Sequence, residues 1–187
     1  MTQAAALVLR PLRSRSLWLT LWLLAVAMLA IEAWVWATDP DNRPWAPLIL
    51  PFMYVLGVGM TMRVELTTDP PALTWRSPLA FWRSTAPLGP RTTVQLRGAG
   101  STVSVHARAD GRRFGVSVDV LAATEYVRRS RDPEELEALA KAVRGARGGH
   151  EVARQLRAQA AHVRAGGDVQ SSPLAKHLGR TLLGLRY

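Results

Sequence analysis

The chain has 187 residues, 48% of them hydrophobic, and carries 24 Lys and Arg against 14 Asp and Glu, a formal charge of +10, with no cysteine. Without cysteine there is no disulfide framework, thiolate nucleophile or Cys-ligated zinc site to consider, which removes several enzyme and secreted-scaffold classes at once. Such an excess of base attracts anionic lipid and nucleic acid. Because only Lys141 and Lys176 are lysines, the arginine surplus also reflects a composition rich in Ala, Gly and Arg and is weak evidence for any one ligand.

Residues 1–16 form a basic N-terminal segment with Arg10, Arg13 and Arg15. Two apolar stretches follow, Leu17 to Ala37 and Trp45 to Met62, joined by a polar turn over 38–44. Crossing a bilayer takes about 20 mainly apolar helical residues, so 17–62 reads as a hairpin of two transmembrane helices. The bulky Ala33-Trp34-Val35-Trp36-Ala37 end argues against a cleaved signal peptide. Basic residues precede the first stretch and follow the second, whereas the turn holds Asp39 and Asp41. Positive charge marks the inner side, which predicts a multi-pass protein of the bacterial cytoplasmic membrane with both termini cytoplasmic. Trp18 and Trp22 would then lie at the inner interface, and Trp34, Trp36 and Trp45 at the outer one.

Glu32 is the ionisable residue inside the first stretch. It reads either as a carboxylate reaching the outer interface or pairing with Arg43, or as part of a transport path. Gly57, Gly59 and Thr61 could pack against Ala27, Ala30, Ala33 and Ala37, within the hairpin or between copies of the chain.

From Arg63 the pattern changes to that of a small α+β domain over 63–146. Period-2 alternation predicts strands over Thr92–Arg97, Ser101–Ala107 and Arg113–Val120, an antiparallel meander linked by Gly98-Ala99-Gly100 and by Ala109-Asp110-Gly111. Ala72–Arg76 would add a fourth strand, and a helical pattern is read over Leu121–Arg129. A clear helix opens at Asp132, with Pro133 at its first position, Glu134 and Glu135 in its first turn, and an apolar stripe of Leu136, Leu139, Ala140 and Val143. Residues 147–187 read as a helical, basic C-terminal extension. Its helix over Glu151–Arg164 has a thin apolar side, so it packs weakly or protrudes.

The order of elements, the Asp-Gly hairpin within Ala109–Arg112 and the run Arg131–Leu139 ahead of an amphipathic helix resemble bacterial pleckstrin-homology-like membrane proteins. The resemblance covers about Leu17 to Arg144. It implies a two-helix anchor and a cytoplasmic β domain closed by a helix, and it transfers no ligand residue.

The histidines His106, His150, His162 and His177 have no metal-ligand spacing, and His150-Glu151-Val152-Ala153-Arg154 has Arg where a zinc-protease helix needs its second His. Ser117, His106 and Asp119 supply triad residue types but sit in plain strand alternation, and Gly98-Ala99-Gly100 lacks a Walker lysine. No catalytic, metal or cofactor residue is therefore expected, and the chain reads as non-enzymatic. The candidate lipid or partner contacts are Phe81, Trp82 and Arg83, close to the second stretch, and Lys176, Leu178, Arg180 and Leu182. The latter belong to a basic amphipathic helix over Ser172–Tyr187, lying on a membrane or on its own domain. The functional expectation is an integral membrane protein that presents a basic cytoplasmic domain to a protein partner or to anionic lipid. The alternative is an accessory subunit of a membrane assembly such as a transporter or secretion complex, and homo-oligomerisation stays open. A membrane-tethered nucleic-acid binder is disfavoured because bases and acids mix along Glu125–Arg157.

Overall fold

The computed structural model describes residues 6–9, 12, 15–38, 63–77, 80–124 and 128–178. The chain divides into two compact units. One gathers residues 1–12, 63–76 and 83–187, and the other 13–62 and 77–82.

The first unit holds two antiparallel four-stranded sheets. Sheet 1 runs in the order β1 (Leu7–Leu9), β2 (Arg63–Thr68), β3 (Pro71–Ser77) and β4 (Ala80–Pro87). Its β2–β3 turn carries a cis Asp69–Pro70 peptide. Sheet 2 runs β5 (Thr92–Ala99), β6 (Thr102–Ala109), β7 (Val116–Ala123) and β8 (Arg128–Ser130). Two helices follow, α2 (Pro133–Val143) and α3 (Gly149–Arg164), and then a 3-10 turn at Ala175–His177. This is an α+β fold.

The alternation that marks the strands also builds the core. Val94, Val103, Val105, Ala107, Val116 and Val118 turn inward from sheet 2 and join Leu9, Leu66 and Leu73 of sheet 1 and Leu136, Leu139, Val143, Leu156 and Leu174 beyond. A bulge opposite Val103 and Ser104 lets the consecutive residues Val120 and Leu121 both point inward, and both are fully buried. Arg131, 3% exposed, fastens β7 to the start of α2: its Nε donates to the Asp119 carbonyl (2.7 Å) and its Nη1 to Glu135 Oε2 (2.8 Å).

Several expectations are corrected. The first apolar stretch does form a helix, α1 (Arg15–Thr38, 24 residues), in the second unit. Besides its apolar residues it carries Arg15, Ser16, Thr20, Glu32 and Thr38. Among the described residues no helix is long and apolar enough to cross a membrane. The transmembrane hairpin falls, and with it the multi-pass topology, the cytoplasmic-membrane localisation, the integral-membrane function and the alternative of a membrane-assembly subunit. The second stretch, Trp45–Met62, and the turn over 39–44 lie outside the described residues. In α1, Leu19, Leu23, Leu24, Val26, Met28, Ile31 and Trp34 are exposed, whereas Ala25 is buried.

The N-terminal segment is not merely a basic tail, since Leu7–Leu9 pairs with Val64–Leu66. The helix expected over Leu121–Arg129 is replaced by the end of β7 and by β8, which pair through Leu121 and Ser130. There the alternating Val116, Val118 and Val120 carry on into the ladder, so tertiary pairing overrides local helix propensity. Helix α3 does not protrude. Val152, Ala153, Leu156, Gln159 and Ala160 are buried, and its long flank lies along α2.

Candidate functional site

Side chains that alternate away from the core form the outer face of sheet 2. On β5 these are Thr93, Gln95 and Arg97; on β6, Ser104, His106 and Arg108; on β7, Ser117 and Asp119. The register sets them in rows. Thr93 stands opposite Arg108, Gln95 opposite His106, and Arg97 opposite Ser104. On the other side of β6, His106 stands opposite Ser117 and Ser104 opposite Asp119. His106 is thus the middle of a three-strand row, with an arginine one row away on either side.

His106 Nδ1 and Ser117 Oγ lie 2.8 Å apart, a hydrogen bond whose direction follows the imidazole tautomer. The opposite edge of the ring rests over Gly115, where an added Cβ would stand 2.7 Å from Nε2 and 2.6 Å from the Ala107 carbonyl oxygen. Glycine at this position makes room for the ring. Partial burial is the main cause of a lowered His106 pKa, reinforced by the positive charges of Arg97 and Arg108, so the ring is held neutral at neutral pH. A nucleophile–base pair needs a third group to orient the base. Among the described residues no carboxylate hydrogen-bonds His106; Asp119 sits in the next row, opposite Ser104.

One end of this face is built by the β6–β7 connection. Asp110 N donates to the Arg91 carbonyl, and Arg112 N closes a turn on the Ala109 carbonyl, with Gly111 at φ 74°. Arg112, Arg113 and Phe114 are exposed, the Phe114 side chain at 76%, and the Arg113 guanidinium lies 5.7 Å from the centre of its ring. Asp110 pairs loosely with Arg147 at 3.7 Å. Among the described residues, Arg91, Arg97, Arg108, Arg112 and Arg113 have no carboxylate within ion-pair distance. Three acids of the helical layer are by contrast engaged: Glu135 with Arg131, Glu137 with Arg164 and Glu151 with Arg154.

The β5 edge is covered. Val94 N donates to the Arg147 carbonyl and Arg147 N to the Thr92 carbonyl, while the His177 carbonyl sits so close over Gly98 that a Cβ there would lie 1.6 Å from it. The C-terminal segment is further held by Ser172 Oγ donating to the buried Gln159 Oε1, and by a 2.7 Å bond from His177 Nε2 to Gln155 Oε1.

The residues singled out as contact candidates are placed apart. Phe81, Trp82 and Arg83 lie in strand β4, and Arg83 is exposed. Lys176 is exposed in the 3-10 turn, and Leu178 is half-buried against the core. Arg180 and Leu182 lie outside the described residues, as does most of the predicted tail helix, whose described part is the short 3-10 turn with Leu174 fully buried. Glu32 lies in α1. Among the described residues no group of three His, Asp or Glu side chains could hold a metal ion. The cross-strand set of Arg97, Arg108, His106 and Ser117 was not singled out as a site. Its signal was the wet-face alternation of β5, β6 and β7 combined with a register that alternation alone does not give. Comparison with protein-family models, curated proteins and solved structures finds no match to this chain.

Proposed function

We propose that this chain is a non-enzymatic binding protein whose second sheet docks an acidic segment of a partner protein. One observation carries the reading: Arg97 and Arg108, without carboxylate partners among the described residues, flank His106 on the outer face of sheet 2, and the connection after β6 exposes Arg112, Arg113 and Phe114. Aromatic and arginine side chains are the anchors that protein interfaces favour, and complementary charge speeds and orients docking. Asp110 and Asp119 interrupt the basic surface, which suits discrete acidic side chains better than the continuous charge of a polyphosphate chain. The resemblance to pleckstrin-homology-like domains belongs to the same proposal, supported by two antiparallel sheets followed by an amphipathic helix.

The test is fluorescence anisotropy of the full chain with a labelled Asp/Glu-rich peptide and with a labelled single-stranded oligonucleotide. The expected result is peptide binding that weakens several-fold in Arg108→Gln and Arg113→Gln, at about 0.5 to 1 kcal/mol for each partly screened guanidinium. Absence of peptide binding, or tighter retention of the oligonucleotide with a steep salt slope, overturns the proposal.

A further inference from the structure

Resting on that reading, we propose that the row Gln95–His106–Ser117, flanked by Arg97 and Arg108, is a subsite for a phosphate group carried on a side chain of the acidic partner segment. Arg97 and Arg108 occupy the rows on opposite sides of His106, on different strands of the same face. With the Gln95 amide turned so that its oxygen accepts from Arg97 Nε at 2.7 Å, that guanidinium is held on the His106 row. Two guanidinium charges flanking a hydroxyl favour a dianionic phosphate over a monoanionic carboxylate.

Ser117 completes the set. When His106 Nδ1–H donates to Ser117 Oγ, the hydroxyl proton is free to turn outward and donate to a phosphate oxygen. The chain of donors becomes imidazole to hydroxyl to phosphate. A bound dianion also offsets the two arginine charges that disfavour imidazolium, so His106 gains a proton more readily in the complex. The charged groups facing the ring are Arg97 from β5, Arg108 from β6 and, one row distant, Asp119 from β7. Gly115 beneath the ring keeps the site open, because any side chain there would push the imidazole aside.

The experiment compares full-length protein binding to three versions of one Asp/Glu-rich peptide, with serine, glutamate or phosphoserine at the centre. The expected result is about tenfold tighter binding of the phosphoserine version than of the glutamate version. His106→Gln and Arg97→Gln should each remove most of that preference while the glutamate peptide still binds. In an imidazole NMR titration of His106, the phosphoserine peptide should raise the titration midpoint relative to the glutamate peptide. Equal affinity for the two peptides, or an unmoved midpoint, overturns the phosphate subsite and leaves acidic-segment docking standing. Failure of all three peptides to bind overturns both.

Discussion

Replacing Arg131 by Met tests whether the junction between sheet 2 and the helices is as closed as its burial implies. The guanidinium is 3% exposed and donates to the Asp119 carbonyl at 2.7 Å and to Glu135 at 2.8 Å. Methionine keeps much of the volume but donates nothing. Leaving the Asp119 carbonyl without this donor costs about 1 to 3 kcal/mol. The Glu135 carboxylate remains 24% exposed, so water recovers part of its lost pairing, and about 1 kcal/mol is a fair allowance there. The sum is about 3 kcal/mol. For a urea slope of about 1.5 kcal/mol per molar, the unfolding midpoint should fall by about 2 M. Adding Glu135→Leu to Arg131→Met removes the stranded charge and should restore about 1 kcal/mol, as apolar replacement of a whole ion pair often does. A midpoint shift of Arg131→Met below about 0.3 M would mean that water reaches the guanidinium and that the junction is open.

Gly98→Ala should drive the backbone of the C-terminal segment off the β5 edge, since the new methyl would overlap the His177 carbonyl; limited proteolysis should then cut within 168–178 faster than in the native chain, and unchanged cleavage refutes the contact. Stability should decline in mild acid through His106 and His177, whose folded pKa values lie below the ordinary 6.5, burial being the first cause in both. Because the unfolded chain binds more protons in that window, stability is complete above 6.5 and is lost as pH falls from there through the folded values. Urea melts should show this slope in the native chain and a flatter one in the His106→Gln, His177→Gln double variant, whereas an equal slope would assign the loss to other groups. Gln159→Leu should cost about 1 to 2 kcal/mol by stranding the Ser172 hydroxyl, and thermal unfolding at neutral pH checks it.

The first three strands of sheet 2 and the helix α2 were readable because each is an amphipathic pattern closed by turn or cap chemistry, whereas β2 and β4 were not expected and β8 was read as helix. Thr92–Arg97 and Ser101–Ala107 became β5 and β6, each running two residues further and β6 starting one later at Thr102, and the Asp132–Pro133 start of α2 stands where its cap signals put it. The binding face was harder to read. A two-residue turn at Asp110-Gly111 would set His106 opposite Gly115; the turn forms, but Arg113 to Gly115 loop out before β7, and the ladder slips by two so that His106 meets Ser117. Side-chain faces survive such a slip, but cross-strand partners do not. The short strand β1 was invisible because three residues carry no periodicity, and its partner lies far along the chain. The stretch Leu17 to Ala37 was legible as a helix, but hydropathy alone does not say what that helix lies against.

That β1 partner has a bearing on how the molecule is made. Leu9 meets Val64 across a separation of roughly 55 residues, so closing the pair forfeits about 3.5 kcal/mol of chain entropy beyond the fixed term. As the chain leaves the ribosome, Leu7–Leu9 emerges first yet waits for Arg63–Thr68, and meanwhile shows a bare strand edge. Sheet 2, whose strands pair with immediate neighbours, can assemble on its own schedule. The first sheet is therefore the late step in assembly, and a gene that joins residues 6–9 through a short turn ahead of residue 63 would remove the wait.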